Sequence, residues 1–117
     1  MHNILVVDDE VSLAKLYEKE LTEEGFNVLL AESGEKALRM AQDNKIDLMV
    51  LDIKMQGKDG LEVLNEFRQK NADTPVILNS AYSTYKDDFS SWLADAYIVK
   101  SSNLDELKIK IHELVKF

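Results

Sequence analysis

The regular alternation of short apolar runs with longer helical patterns constrains the fold of this chain more than any other feature. The apolar runs predict five strands, near residues 3–8, 27–31, 47–52, 75–80 and 96–100. Strands that alternate with helices in this way are typical of βαβ units and a parallel sheet. Because crossovers between parallel strands are right-handed, helices should cover both faces of the sheet. We therefore predict a doubly wound α/β domain.

Helical patterns fill the segments between and after these strands. Five helices are expected, near residues 10–24, 33–43, from 61 onward, at 83–94 and after 103. The inward face of the first consists of Val11, Ala14, Tyr17 and Leu21. The fourth pattern is weak because serines and a threonine interrupt it, whereas the fifth is clear and begins with Asn103 and Glu106, which resemble a helix cap.

The composition describes one globular domain. With 117 residues, 45% of them apolar and 31% charged, the chain can form its own core. No apolar run reaches the roughly 18 residues of a membrane span, and the N-terminus lacks a secretion signal. The absence of cysteine excludes disulfides and thiolate metal sites, and we expect a cytoplasmic protein. A formal net charge of −8 argues against nucleic acid or a membrane as a partner.

Four of the apolar runs end in a polar side chain. These residues are Asp8 with Asp9, Asp52, Ser80 and Lys100. The carboxyl ends of parallel strands share one edge of a sheet, where ligands bind in open α/β folds, so the side chains should meet in one crevice. Three close carboxylates repel each other unless a cation such as Mg²⁺ lies among them. One carboxylate would then be free to attack phosphorus, while an ammonium and a hydroxyl stabilise the phosphoryl group in transit.

The segments around these residues resemble known motifs. Residues 6–10 read Val-Val-Asp-Asp-Glu and residues 51–60 read Leu-Asp-Ile-Lys-Met-Gln-Gly-Lys-Asp-Gly. Residues 79–82 read Asn-Ser-Ala-Tyr and residues 96–100 read Ala-Tyr-Ile-Val-Lys. Singly they are weak, since two adjacent aspartates also suit a helix N-terminus. Together, over residues 1–117, they resemble the receiver domain of two-component response regulators, the CheY-like family. The resemblance implies a flavodoxin-like (βα)5 fold with strand order 2-1-3-4-5.

The resemblance implies a role for each acid in the crevice. Asp52 is expected to accept a phosphoryl group from a histidine kinase or a phosphotransfer protein. Asp9, Asp52 and the backbone carbonyl of Lys54 are expected to bind Mg²⁺, or Mn²⁺, with Asp8 acting through water. The domain would catalyse only its own phosphorylation and dephosphorylation, so we do not expect an enzyme with a separate substrate.

The resemblance also implies a switch. Lys100 would pair with the phosphoryl group, the Ser80 hydroxyl would bond a phosphoryl oxygen, and Tyr97 would turn inward as that hydroxyl moves. The output surface would be the fourth helix, fifth strand and fifth helix, and its target would be another protein. The fourth helix carries Tyr85, Phe89 and Trp92. These aromatics form either a buried stripe, which we favour, or a patch for dimerisation on phosphorylation.

Two prolines that are usual in the family are missing. Gln56 follows Met55 where the family has Met-Pro, and Ser101 follows Lys100 where the family has Lys-Pro with a cis bond. Because a cis bond before a residue other than proline costs about 2.5–4 kcal/mol, we predict a trans bond after Lys100. The loop into the fifth helix would then take another path, which puts the orientation of Lys100 in question.

Two bulky residues flank the expected phosphate. Lys54 and Tyr82 lie two positions after Asp52 and Ser80. Their side chains could obstruct an attacking water, so we predict slow hydrolysis of the phosphorylated form.

Other functions stay open at the level of the sequence. The missing Lys-Pro allows a pseudo-receiver, a scaffold that binds partners without phosphorylation. An aspartyl-phosphate phosphatase of the haloacid dehalogenase type would also use a strand-end aspartate and Mg²⁺. That class has a second acid two residues after the nucleophile, here Glu10 after Asp8, but the chain is short for a substrate cap. The chain is either a single-domain protein or a module of a longer regulator or hybrid kinase.

Overall fold

The computed structural model describes residues 1–81, 93–101 and 103–115. The strands are β1 (Asn3–Val7), β2 (Asn27–Ala31), β3 (Leu48–Leu51), β4 (Val76–Ser80) and β5 (Ala96–Val99). The helices are α1 (Val11–Glu23), α2 (Gly34–Asp43), α3 (Gly60–Lys70) and α4 (Asp105–Leu114). Here α4 is the fifth helix of the sequence prediction, because the predicted fourth helix lies almost entirely outside the described residues. None of the described helices is long and apolar enough to cross a lipid bilayer.

The five strands pair in parallel in the order β2-β1-β3-β4-β5, which confirms the predicted doubly wound sheet. At the carboxyl ends, Val7 pairs with Ala31 on one side and with Leu51 on the other. One strand further along, Ser80 pairs with Val99. The strands β1, β2 and β3 therefore end level with one another, whereas β4 and β5 continue to Ser80 and Val99, two residues past the Leu78 partner of Leu51. In the strand order, the chain reverses its direction between β1 and β3. This edge is where an open α/β sheet forms its ligand crevice.

Apolar side chains alternate between two layers, one on each face of the sheet. In β1, Ile4 and Val6 belong to the layer under α1 and α4, whereas Leu5 belongs to the layer under α2 and α3. This two-residue period is the geometry of a strand buried on both faces. One step beyond β1 and β3, the same alternation brings Asp8 and Asp52 to the α1 side.

The prediction that Val11 faces the core is wrong. Its side chain is 53% exposed, whereas Ala14, Tyr17 and Leu21 of the same stripe are buried. Val11 is the first residue of α1, and it lies at the rim beside Asp8. The first turn of the helix projects past the core that the rest of the stripe covers.

Helix caps also differ from the prediction. The last helix begins at Asp105, so Leu104 occupies the N-cap and makes no side-chain cap hydrogen bond. Asn103 lies one residue too early for a capping box and accepts a hydrogen bond from the Asp105 N–H instead, at 2.8 Å. A complete capping box starts α3, where Asp59 and Glu62 each accept a hydrogen bond from the other's backbone N–H. This cap fixes the end of the loop that leads away from Asp52.

Candidate functional site

Backbone hydrogen bonds continue the sheet past the strand ends and fix the acids of the crevice. The Asp8 N–H donates to the Ala31 carbonyl at 3.1 Å, and the Asp52 N–H donates to the Val7 carbonyl at 3.0 Å. On the other side of the sheet, the Lys100 N–H donates to the Ser80 carbonyl at 2.7 Å. The main chain at these positions therefore continues the hydrogen-bond pattern of the sheet.

The three predicted carboxylates come together. Asp8, Asp9 and Asp52 each offer one oxygen, and these oxygens all lie within 4.8 Å of one another. Asp8 and Asp52 are only 2% and 6% exposed, whereas Asp9 is exposed at the mouth. Oxygen donors of this number and charge suit a hard divalent cation.

Lys100 supplies the positive charge that the acids lack. Its Nζ atom lies 2.9 Å from Asp8 Oδ2 and 3.3 Å from Asp52 Oδ2. No cis peptide bond occurs among the described residues, so the bond to Ser101 is trans, as predicted. The missing proline, which put the orientation of Lys100 in question, does not misdirect its side chain, because the amine still lies close to two carboxylates.

Burial governs the ionisation of the central acid. It raises the pKa of Asp52 to about 6, reinforced by the negative charge of Asp8 and opposed by Lys100. Burial lowers the pKa of Lys100, but its hydrogen bond to Asp8 and the charges of Asp8 and Asp52 outweigh that effect and raise the pKa above its usual range. Lys100 therefore stays charged at neutral pH, and Asp52 is ionised above about pH 6.

The loop after β3 covers one side of the crevice and contains a contact that the sequence reading did not predict. The Gln56 N–H donates a hydrogen bond to Asp9 Oδ2 at 3.1 Å. The loop closes where the Gly60 N–H donates to the Ile53 carbonyl at 2.8 Å. A β-carbon at Gly60 would overlap the carbonyl oxygen of Asp52, so glycine permits this close approach.

The remaining predicted site residues lie at the same edge. Ser80 is completely buried at the end of β4. Tyr97 in β5 is half-buried and packs against the apolar layer under α2 and α3. The side chain of Lys54 is exposed, two residues beyond Asp52. Tyr82, the other residue predicted to tune hydrolysis, lies outside the described residues.

A buried polar pair lies directly below the acids. Asn79 Nδ2 donates to the Tyr17 hydroxyl at 2.8 Å, and both side chains are buried. Burial raises the pKa of Tyr17, and charges from Lys100, Asp8 and Asp52 all reach it. The pair ties α1 to the residue before Ser80. The sequence predicts Tyr17 only as part of the apolar face of α1, because the helical pattern gives no sign of a partner for its hydroxyl.

Comparison with known proteins agrees with this geometry. The sequence model of the response regulator receiver domain matches residues 4–112. Response regulator RR06 of Streptococcus pneumoniae is 40% identical over 116 residues, which cover 97% of this chain and 53% of that protein. Response regulator ArlR of Staphylococcus epidermidis is 36% identical over 118 residues, which cover 99% of this chain and 53% of that protein. The chain thus spans about half the length of these curated relatives.

Solved structures resemble the chain over nearly its whole length. Response regulator protein TrrA of Thermotoga maritima, in complex with Mg²⁺–BeF, has a TM-score of 0.95 at 51% identity and covers 97% of this chain and 99% of its own. TrrA in complex with the histidine kinase ThkA gives a TM-score of 0.94 at 50% identity, covering 99% and 100%.

Proposed function

Because the chain belongs to the response regulator receiver family, a family of phosphorelay signalling, we propose that it carries the signal as a phosphoryl group on Asp52. The position of Asp52 is the observation that supports this residue. It is a buried carboxylate at the end of β3, beside two further acids and 3.3 Å from the Lys100 amine. Asp8 already accepts hydrogen bonds from Lys100 and from the Glu10 N–H, which suits a supporting role.

The transfer is a substitution at phosphorus. A carboxylate oxygen of Asp52 forms the new P–O bond while the P–N bond of the kinase's phosphohistidine breaks. The imidazole leaves with the bonding electron pair, and the product on Asp52 is an acyl phosphate. Lys100 provides a fixed positive charge beside the reacting oxygen, where charge develops in the transition state.

The carboxylates at this edge fit a divalent cation, and we propose Mg²⁺, with Mn²⁺ as a substitute. Asp9, Asp52 and the backbone carbonyl of Lys54 would hold it, and Asp8 would act through water. When bound, the cation would neutralise the carboxylates and the phosphoryl oxygens. The Mg²⁺–BeF complex of TrrA supports this choice, because beryllium fluoride stands in for a phosphoryl group.

The output would pass through Ser80 and Tyr97. Ser80 lies buried at the strand end nearest the Lys100 backbone, and a move of its hydroxyl toward the phosphoryl group would open space for the half-buried Tyr97. The surface that would change comprises β5, α4 and the predicted fourth helix. Two exposed apolar side chains on it, Val99 in β5 and Ile109 in α4, suit contact with a protein.

A histidine kinase, or a phosphotransfer protein, is the proposed phosphoryl donor. The structure of TrrA with the kinase ThkA supports a partner of this class. Downstream we propose a protein target, and dimerisation on phosphorylation as a second use of the same surface. The net charge of −8 supports neither nucleic acid nor a membrane as a ligand of this domain. We propose a cytoplasmic location, with which the lack of cysteine is compatible.

The proposed activity is confined to the domain's own phosphorylation and dephosphorylation, so we do not class it as an enzyme. The pseudo-receiver alternative rests on the missing Lys-Pro, which could have displaced Lys100. The contacts of Lys100 with Asp8 and Asp52 argue against such a displacement and so do not support this alternative. The phosphatase alternative would place the nucleophile at Asp8 and the second acid at Glu10. Because Asp8 and Asp52 share the Lys100 amine, that contact does not decide between them, and turnover of a small phosphate ester would favour the phosphatase.

Intact mass after incubation with acetyl phosphate and Mg²⁺ tests the proposal. We expect the mass of one phosphoryl group, dependent on Mg²⁺ and absent in Asp52→Asn. Asp43→Asn, at the exposed end of α2, is the matched control and should still gain the group. Absence of any gain in the wild type, with Mg²⁺ binding shown separately, would contradict the proposal.

A further inference from the structure

The exposed acid of the cluster is held by a main-chain donor. Asp9 Oδ2 accepts a hydrogen bond of 3.1 Å from the Gln56 N–H, 47 positions along the chain. A proline at position 56, the usual residue in the family, has no N–H and could not make this contact. The contact is therefore a consequence of the sequence Met55-Gln56.

We propose that the Gln56 N–H is a positioning group that holds the Asp9 carboxylate in the orientation that binds the divalent cation; this rests on the function proposed above. Asp8 and Asp52 repel the Asp9 carboxylate, and its exposed side chain could otherwise turn toward water. The hydrogen bond engages one oxygen and leaves the lone pairs of the other for a cation. Donors behind a metal ligand commonly fix its direction in this way.

The loop itself is built to hold the donor in place. Gly57, directly after Gln56, has a φ of 79°, a left-handed conformation that glycine adopts without strain. Three residues later, the Gly60 N–H closes the loop onto the Ile53 carbonyl, and the capping box of α3 begins at Asp59. The Gln56 N–H thus projects from a closed loop of defined shape, so that little conformational entropy is lost when it binds Asp9.

The test compares two substitutions that differ in one hydrogen-bond donor. Q56P removes the N–H, and Q56A keeps it. Isothermal titration calorimetry with MgCl₂ measures the affinity. We expect Q56P to weaken Mg²⁺ binding roughly tenfold, which is the lower end of the loss of affinity seen when a hydrogen-bond partner of a metal ligand is removed. The affinity of Q56A should stay near the wild-type value.

A double-mutant cycle separates this effect from a general disturbance of the loop. In the Asp9→Ala background, Q56P should weaken the remaining Mg²⁺ affinity little, because the side-chain oxygens through which the Gln56 N–H acts are gone. Equal affinities of Q56P and wild type would overturn the proposal. Tighter Mg²⁺ binding by Q56P would also overturn it, because the hydrogen bond would then compete with the cation. An equal loss of Mg²⁺ affinity on Q56P substitution with and without the Asp9 carboxylate would overturn it as well.

A second measurement does not depend on the folding of Q56P. In ¹H–¹⁵N spectra of the wild-type domain, the Gln56 amide should keep its hydrogen-bonded shift on saturation with Mg²⁺, and the amide should lose that shift in D9A. Loss of that shift on adding Mg²⁺ to the wild type would overturn the proposal. If the wild type bound Mg²⁺ but gained no phosphoryl group, the proposed function would fail while this inference could still be judged.

Discussion

Lys100 and Asp8, 92 positions apart in the chain, form an ion pair of 2.9 Å in the buried part of the crevice. The same amine is shared with Asp52 at 3.3 Å. Two buried carboxylates thus share the positive charge of one lysine. Several measurable properties follow from this arrangement.

Replacing Lys100 with Met should destabilise the metal-free domain by about 3 kcal/mol at pH 7, because two buried carboxylates lose their counter-charge. Urea unfolding in EDTA measures the free energy. Lys110→Met is the control, because Lys110 pairs with Glu113 at the surface. This replacement should lower the free energy of unfolding by less than about 1 kcal/mol. Equal losses of unfolding free energy in the two variants would show that the buried ion pairs of Lys100 stabilise the fold no more than a surface pair does.

Replacing Asp52 with Asn should stabilise the metal-free domain at pH 7 by up to about 3 kcal/mol, the free-energy equivalent of the raised pKa. The folded state binds the Asp52 proton more tightly than the unfolded state does. The contribution of Asp52 to wild-type stability therefore becomes more favourable as the pH falls from about 6 toward 3.8, while at higher pH the ionised acid destabilises the fold.

The gain from Asp52→Asn should accordingly be complete above about pH 6 and vanish near pH 4. Chemical denaturation in EDTA across this range measures the difference between the two proteins. A difference that does not change with pH would contradict the burial-driven shift of the pKa.

Replacing Tyr17 with Phe should cost about 1–2 kcal/mol, because the buried Asn79 amide loses its acceptor. Asn79→Leu alone should lower the free energy of unfolding by a similar amount, because the buried Tyr17 hydroxyl loses its hydrogen-bond donor. The double variant should be more stable than the sum of the two losses predicts, since neither polar group is then left unpaired. Thermal and urea unfolding of all four proteins give the coupling energy; strictly additive losses would argue against a buried bond.

Lys54→Ala and Tyr82→Ala should shorten the lifetime of the acyl phosphate on Asp52, if these side chains obstruct the attacking water. An obstruction worth about 1 kcal/mol of activation energy corresponds to a roughly fivefold faster hydrolysis. Loss of the phosphoryl mass after removal of the donor gives the half-life. Unchanged half-lives in both variants would refute the idea of slow hydrolysis by obstruction.

The sequence predicted the sheet and the centre of the site well, for a physical reason. Strands buried on both faces read as continuous apolar runs, so the polar residue that ends each run is conspicuous. Asp8, Asp52, Ser80 and Lys100 were found in this way. The parallel register then brings those ends together without further information.

Contacts that depend on the main chain or on a single hydroxyl were not predictable in the same way. The Gln56 N–H is a donor that almost any residue would provide, so its side chain gives no hint of the bond to Asp9. The hydroxyl of Tyr17 lies in a stripe that reads as apolar. Val11 fits the helical period but lies one turn beyond the layer that would bury it.

The crowding of Asp8, Asp9 and Asp52 has a consequence beyond signalling. Without a cation, the repulsion among these carboxylates opposes folding, whereas a bound cation favours it. The folded fraction of the protein should therefore depend on the concentration of free cation. By mass action, a cation at 100 times its dissociation constant adds about 2.7 kcal/mol of stability. The melting temperature of the domain should therefore rise with the concentration of the divalent cation. Destabilised variants should be the first to unfold where that ion is scarce.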